Sequence, residues 1–320
     1  MEKRKTKIVI AEPNRFSPSG LITLKQMGDV ILGPFSQSQL MNSCADADVL
    51  ILRLQHVINA KFLKFAKNLS YIVTPTTGLN HIDVEAAFSM GVGIISLKGE
   101  SEYLKSIPST AEHTWGLLLA LVRHIPQSNK HVINGLWDRD AFIGRNLANL
   151  KLGILGFGRV GQQIAKYADA FDMSYTFYDI DNERKNLANQ TKDLTSFLTS
   201  IDVLTVHIPL NKNTNHFLNA EKLSKLKKGS LIINTSRGEI IDEGALVDVL
   251  IAGHIGGVAV DVLDQELIKE KREKSKLLKY AQSNMNAIIT PHIAGATTDS
   301  MQRTEEFVIK KLLYKWGRKN

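Results

Sequence analysis

The stretch LKLGILGFGRVGQQIAKYADAFDMSYTFYD, Leu150 to Asp179, decides the fold. A short apolar run, which reads as a strand, ends in Gly156, Phe157, Gly158, Arg159, Val160 and Gly161. A helical pattern follows, with Val160, Ile164, Ala168 and Phe171 on one face, and a second strand (Tyr175 to Tyr178) closes on Asp179. This is a complete βαβ unit. The first glycine suits the tight turn, the second lets backbone approach a pyrophosphate, and the third lets helix and strand pack closely. Unpaired N–H groups at the helix start and the positive end of its dipole favour phosphate. Asp179 lies 18 residues past Gly161, where a carboxylate accepts from a ribose 2′-hydroxyl and repels a 2′-phosphate. The expected ligand is therefore NAD, held by Gly156, Phe157, Gly158, Arg159, Val160, Gly161 and Asp179.

Outward from this unit, strands and helices alternate in both directions. Lys7 to Ala11, Val49 to Leu52, Tyr71 to Val73 and Val92 to Ser96 read as strands, with helical segments such as Asn59 to Lys67 and Val84 to Met90 between them. Asp202 to Leu210, Ser230 to Gly238, Gly256 to Leu263 and Ala287 to Gly295 continue the pattern. Such alternation predicts α/β architecture with parallel sheets covered on both faces. An apolar helix from Ser109, ending before Pro126, is expected to pack between two domains. A last helix spans Asp299 to Trp316. The Lys/Glu-dense segment Ile268 to Tyr280 reads as a solvated helix with opposite-charge pairs, the alternative being a docking patch.

At 320 residues there is room for two cores. No apolar run approaches the roughly 18 residues of a membrane span, and the basic start MEKRKTKIVIAEP looks like a first strand, so a cytoplasmic location is expected. A single cysteine, Cys44, excludes an internal disulfide and a cysteine-cluster metal site; no metal is expected. The net charge of +8 is spread along the chain, which favours a small anionic ligand over nucleic acid or a membrane surface.

In open α/β sheets ligands bind beyond the carboxyl ends of the strands. The strands of the second half end at Gly156, at Asp179, at His207 with Pro209, at Arg237, at Asp261 and at His292. A glycine turn, carboxylates, imidazoles and a guanidinium at successive strand ends describe one polar crevice.

GILGFGRVG, the Ser-Arg-Gly of NTSRGEIID, AVDVLDQE and PHIAGAT, in this order, resemble the D-isomer-specific 2-hydroxyacid dehydrogenases. The resemblance runs from about Arg53 to the C-terminal helix, with weaker support in GLNHID and AEHTWGLLLALVRHIP. It implies a Rossmann doubly wound cofactor domain (residues 105–294) and a flavodoxin-like α/β substrate domain (residues 1–104 and 295–320). It also implies a homodimer formed through the cofactor domain and a small 2-hydroxy or 2-keto acid as substrate. The implied catalytic set is Arg237, Glu266 and His292. Taking the hydroxyl proton while hydride leaves C2 calls for a base titrating near working pH, which suits His292. Glu266 would orient the imidazole and raise its pKa, although Asp264 is a rival for that place. Arg237 would hold the substrate carboxylate or polarise the carbonyl, its alternatives being a helix cap or a pair with Glu239 or Asp242.

The resemblance further implies cofactor contacts from His207, Pro209, Thr214, Thr235, Ser236 and Asp261, the last to the nicotinamide amide. Substrate contacts are implied for Arg53, Leu79 and Asn80. Gly-Leu-Asn in that last loop is closer to phosphoglycerate dehydrogenases than the Gly-Val-Gly-Tyr-Asp of many members. The Pro that commonly follows the catalytic Glu is Leu267 here. Two rival readings share the fold: an NADH-sensing corepressor-like binding module, and a formate dehydrogenase-like enzyme, whose site carries Gln where this chain has Glu266.

Overall fold

In a computed structural model, which describes residues 4–181 and 187–319, the chain divides into two compact units, Met1–Ser106 with Ala296–Asn320, and Ile107–Gly295. The first unit carries a five-stranded sheet made of β1 (Thr6–Ile10), β2 (Gly28–Leu32), β3 (Val49–Ile51), β4 (Tyr71–Val73) and β5 (Gly93–Ile95). Its order is β2-β1-β3-β4-β5 with every pairing parallel, the flavodoxin-like arrangement. β2 was not legible in the sequence. GDVIL is an edge strand with both faces only partly covered, so neither alternation nor a continuous apolar run marks it.

The helix Thr298–Lys319 belongs to this unit. Val308, Ile309 and Leu312 are buried, and Glu305, 1 % exposed, accepts from the Ser17 N–H at 2.7 Å. Arg303 donates to the Ser106 carbonyl at 2.9 Å.

The second unit holds a six-stranded parallel sheet: β6 (Leu152–Leu155), β7 (Tyr175–Tyr178), β8 (Val203–Val206), β9 (Ser230–Asn234), β10 (Ile255–Val260) and β11 (Ala287–Ile289), ordered β11-β10-β9-β8-β6-β7. Beyond β7, a single parallel bridge between Phe177 and Gln190 adds a rudimentary further strand. With it the order becomes that of a dinucleotide-binding sheet, three strands running one way from β6 and the rest the other way from β8. Strand residues alternate between two cores. Ile232 and Val260 join the helices Leu194–Ser200 and Glu243–Ile251 on one face, while Ile233 and Ala259 join the helices Ser109–Val122 and Arg159–Ala170 on the other. Burial on both faces explains the unbroken apolar strands.

Two sequence expectations change. The helix from Ser109 ends before Pro126 as expected, but already at Val122, short of the Arg-His-Ile that completes the apolar run. Arg123 closes it, His124 is left-handed (φ 54°), and a separate helix, Ile125–Ile133, starts with Pro126 in its first turn. Proline needs no N–H there. The apolar residues expected to lie between domains, among them Trp115, Leu118 and Leu121, are accounted for in the second unit's own core. The basic segment forms two short helices, Lys269–Arg272 and Lys276–Ser283, not one solvated helix. Lys269 and Glu273 do form the expected opposite-charge pair (3.8 Å), but Leu277 is buried and Tyr280 packs on the core.

Candidate active site

The sheet order of the second unit sets Asp179, Gly156, His207, Arg237, Asp261 and His292 in a row along its carboxyl edge, following β7, β6, β8, β9, β10 and β11. At roughly 4.8 Å per strand, Gly156 and His292 are about 19 Å apart across this edge. An extended ligand is needed to reach both.

The glycine turn lies where β6 and β8 diverge. Gly156 has φ 93°, and a Cβ there would fall 2.8 Å from the His207 carbonyl, so both conformation and space demand glycine. A Cβ on Gly161 would meet the Gly156 carbonyl oxygen at 2.3 Å, the close helix approach expected from the motif. Gly158 differs: among the described residues nothing lies within 4 Å of a Cβ placed there. The open space over Gly158, at the start of the helix Arg159–Ala170, fits a pyrophosphate held by backbone N–H groups. Phe157 stacks on Phe177 at 3.9 Å between ring centroids, and its N–H donates to Asp179 Oδ2 at 2.6 Å. Asp179 Oδ1 accepts from the Asp181 N–H at 2.8 Å. The carboxylate expected to meet a ribose thus also ties its own strand end to the glycine turn. Arg159 Nη1 donates to the Ile107 carbonyl at 3.0 Å. Val160 packs on the core beside Ile164 and Ala168, while Phe171, at the helix end, is 43 % exposed and leans on Trp115.

His207 follows β8 with its Nε2 sealed from solvent and without a hydrogen-bond partner among the described residues. Burial, seconded by the charge of Arg159, pushes its pKa down to about 3, so the ring is neutral at physiological pH. Thr214 closes the loop after it, donating to the Pro209 carbonyl at 2.6 Å and accepting from the Asn211 N–H at 2.8 Å. Its hydroxyl serves the loop rather than standing open to a ligand. Thr235 is buried against Thr114 (Oγ1 to Oγ1, 2.7 Å).

The turn bearing Arg237 is built by Asn234, a residue the sequence reading passed over. Its Oδ1 accepts from the Ser236 N–H (3.0 Å) and hydroxyl (2.7 Å), and its Nδ2 donates to the Arg237 carbonyl at 2.8 Å. Arg237 Nη1 donates to the Ser236 carbonyl at 2.6 Å. Burial lowers the guanidinium pKa against the opposing charges of Glu266 and Glu239; its group remains a cation at any working pH. Asp242, one of the rival partners, instead caps the helix Glu243–Ile251.

Glu266, not Asp264, meets His292. Its Oε1 is hydrogen-bonded to His292 Nδ1, and its Oε2 accepts from the Leu263 N–H at 3.1 Å. Both side chains keep about a fifth of their surface exposed, 21 % and 23 %, which leaves the far side of the imidazole reachable. His292 is left-handed (φ 55°), a conformation that needs support from its surroundings. Asp261 supplies it. The Asp261 carbonyl accepts from the His292 N–H at 2.8 Å, and its carboxylate accepts from the N–H groups of Ile293 (2.9 Å) and Ala294 (2.7 Å) and from the Thr290 hydroxyl. Burial opposes the charge of Asp261, but these donors and His113 hold its carboxyl below the usual range. Its side chain has no exposed surface, and the observed part is that of a clamp on the His292 loop. His113 was also missed, since nothing in AEHTWG sets it apart. Its Nε2 bonds to Thr290 Oγ1 at 2.9 Å and lies 3.4 Å from Asp261.

In the first unit, Arg53 is paired with a buried carboxylate, its own side chain remaining 20 % exposed. Its guanidinium binds Glu305 (Nε to Oε1, 2.9 Å) and the Asn14 carbonyl (2.8 Å). Burial raises the Glu305 pKa despite this pairing. Leu79 packs its side chain on the core, and Asn80 is exposed. The N–H groups of Gly78 and Leu79 meet no acceptor among the described residues, so the free donors of this loop are backbone.

No metal-binding cluster occurs among the described residues, and no helix there is long and apolar enough to cross a membrane. Residues 115–294 match the NAD binding domain of D-isomer specific 2-hydroxyacid dehydrogenases. A hydroxypyruvate reductase from Thermotoga maritima is 31 % identical over 97 % of this chain and 98 % of its own length. A glyoxylate reductase from Thermofilum pendens is 33 % identical over 95 % of this chain and 88 % of its own. Among solved structures, a D-lactate dehydrogenase from Aquifex aeolicus, complexed with NAD and lactic acid, superposes with a TM-score of 0.81 at 28 % identity, covering 96 % of this chain and 94 % of that one. With its glycine turn, its carboxylate at the end of β7 and these relatives along nearly its whole length, the chain belongs to the D-isomer specific 2-hydroxyacid dehydrogenases, NAD-dependent oxidoreductases acting on CH–OH groups.

Proposed function

We propose that the chain interconverts a small 2-keto acid and its D-2-hydroxy acid, with His292 as acid and base, Glu266 as its orienting partner and Arg237 as the anchor of the substrate carboxylate or carbonyl. The observation that carries this reading is the His292 Nδ1 to Glu266 Oε1 hydrogen bond at the same strand edge as Arg237. A carboxylate only accepts, so Nδ1 carries the proton and Nε2 faces the substrate. In the oxidising direction Nε2 takes the hydroxyl proton; in the reducing direction the imidazolium returns it to the carbonyl oxygen. Glu266 stabilises that imidazolium, and the Leu263 N–H on Oε2 keeps the carboxylate turned toward the ring. The fixed cation of Arg237 opposes charge developing on the oxygen. NAD, when bound, supplies the hydride acceptor, and NADH the donor. Gly156 to Gly161 would cradle its pyrophosphate, Asp179 its ribose, and neutral His207 would lie under it beside Pro209, Thr235 and Ser236. The Gly78 and Leu79 N–H groups, with Asn80, are proposed as a further anion contact.

Hydroxypyruvate and glyoxylate, named for the two full-length relatives, are the first substrates to try. NADH consumption with such a 2-keto acid and formation of the D product are expected. His292→Ala should cut turnover by about a thousandfold or more while NADH affinity holds within about twofold. NADH binding without turnover on any 2-keto acid would instead support a binding module.

We also propose a cytoplasmic homodimer. Within the stretch 123–146, Ile125, Ile133, Leu136, Ile143 and Trp137, the last 88 % exposed, present apolar surface to solvent, and Arg123, Arg139 and Arg145 line, with Ile143, a pocket of about 310 Å³. Tryptophan and arginine around an apolar patch are the composition of an interface centre. Trp137→Ser should shift the mass in solution from dimer to monomer; a wild type that is already monomeric would refute the proposal.

A further inference from the structure

The segment after Glu266 is not a surface loop left to itself. Gln265 is left-handed (φ 51°), and Leu267 and Ile268 are exposed before the helix Lys269–Arg272. Arg272 then reaches back, its Nη1 donating to the Glu266 carbonyl at 2.7 Å. Arg272 itself is anchored at its other side. The Ser275 N–H donates to the Arg272 carbonyl at 3.1 Å, the Ser275 hydroxyl to Glu243 Oε2 at 2.9 Å, and the Lys276 N–H to Glu243 Oε1 at 2.7 Å. Ser275 also caps the next helix, whose Leu277 is 3 % exposed in the core. An unbroken chain of contacts thus leads from the core through Ser275 and Arg272 to Glu266 and His292. A charged donor on a carbonyl is stronger than a neutral one, and this bond, though exposed, restrains the residue whose carboxylate touches the imidazole.

We propose that Arg272 is a positioning residue for the reaction, holding the Glu266 main chain so that the carboxylate stays on His292. This rests on the roles given above to Glu266 and His292. Because the contact uses one nitrogen of the guanidinium, a lysine can replace much of it.

Arg272→Ala, Arg272→Lys and Glu266→Gln test this in the NAD-loaded enzyme, each with kcat, KM, NADH affinity and the pH profile of kcat/KM. The expected pattern is a kcat loss of about tenfold for Arg272→Ala, equal to about 1.4 kcal/mol, with NADH affinity unchanged. The pH limb should move toward that of Glu266→Gln, and Arg272→Lys should recover to within about threefold of wild type. Wild-type kcat and pH profile in Arg272→Ala, together with a loss in Glu266→Gln, would overturn the role of Arg272 alone. An unaffected Glu266→Gln would overturn the reading of Glu266 as well. Equal losses of kcat and NADH affinity in both Arg272 variants, with the pH profile unmoved, would make the residue merely structural and refute the proposal.

Discussion

Replacing Gly238 by alanine should disable the site without touching any side chain that does chemistry. A Cβ at 238 would lie 2.1 Å from the Leu263 carbonyl carbon and 2.4 Å from the Asp264 nitrogen. Carbon atoms settle at about 3.5 to 4.0 Å, so the backbones must part by at least about 1 Å. Both flanks of this contact belong to the site: Arg237 precedes Gly238, and the Leu263 N–H holds Glu266 Oε2. Misplacement by 1 Å costs about a hundredfold in rate, or about 2.7 kcal/mol of barrier. Overpacking should also cost about 1 to 3 kcal/mol of stability, a fall of several degrees in Tm. The assay is steady-state NADH consumption with the preferred 2-keto acid, beside NADH binding and thermal unfolding. NADH affinity should fall much less than kcat, since the Gly156 to Asp179 turn is untouched. Gly244→Ala is the control: among the described residues its Cβ meets nothing nearer than 3.4 Å, and it should keep wild-type activity. If Gly238→Ala turns over within about twofold of wild type, the close approach does not position the catalytic loops.

Asp179→Asn keeps an acceptor for the Phe157 N–H while removing the charge that repels a 2′-phosphate. Its preference for NAD over NADP should fall by about tenfold, about 1.4 kcal/mol, and an unchanged ratio of kcat/KM values would remove Asp179 from the ribose contact. His207 yields a pH prediction. Its pKa drops from 6.5 to about 3 on folding, so below pH 6.5 the unfolded chain binds a proton that the folded chain refuses. Stability is then lost as pH falls from 6.5 toward 3. Between pH 7 and pH 4 the Tm of His207→Gln should fall less than that of wild type; parallel curves would mean that the ring is not held neutral.

Much of this was readable from residues alone because it depends on local chemistry. GFGRVG and Asp179 announce a dinucleotide turn since glycine is required wherever backbone must bend or approach closely, and Gly156 and Gly161 meet that demand with contacts of 2.8 and 2.3 Å. Strand ends were legible from the point at which apolar runs give way to Arg237, Asp261 or His292. What could not be read was which groups those side chains would satisfy. Arg53 ends a strand and looks like an anion site, yet Glu305, 252 positions away, takes its charge. Asp261, expected at the nicotinamide, also clamps the His292 loop, a role its position in the sequence does not announce. Asn234, His113 and Arg272 carried no signal because their partners are a turn, a threonine and a main-chain carbonyl. The sequence by itself determined the repeating strand and helix units, the cofactor turn and the kinds of side chain at the strand ends. These follow from periodicity and steric demand within a few residues. Only the tertiary structure decided that Glu266 rather than Asp264 meets His292, and that Arg53 is spent on Glu305. Hydrogen bonds go to whatever donor or acceptor the fold brings within 3 Å, and that choice is made between segments far apart in the chain.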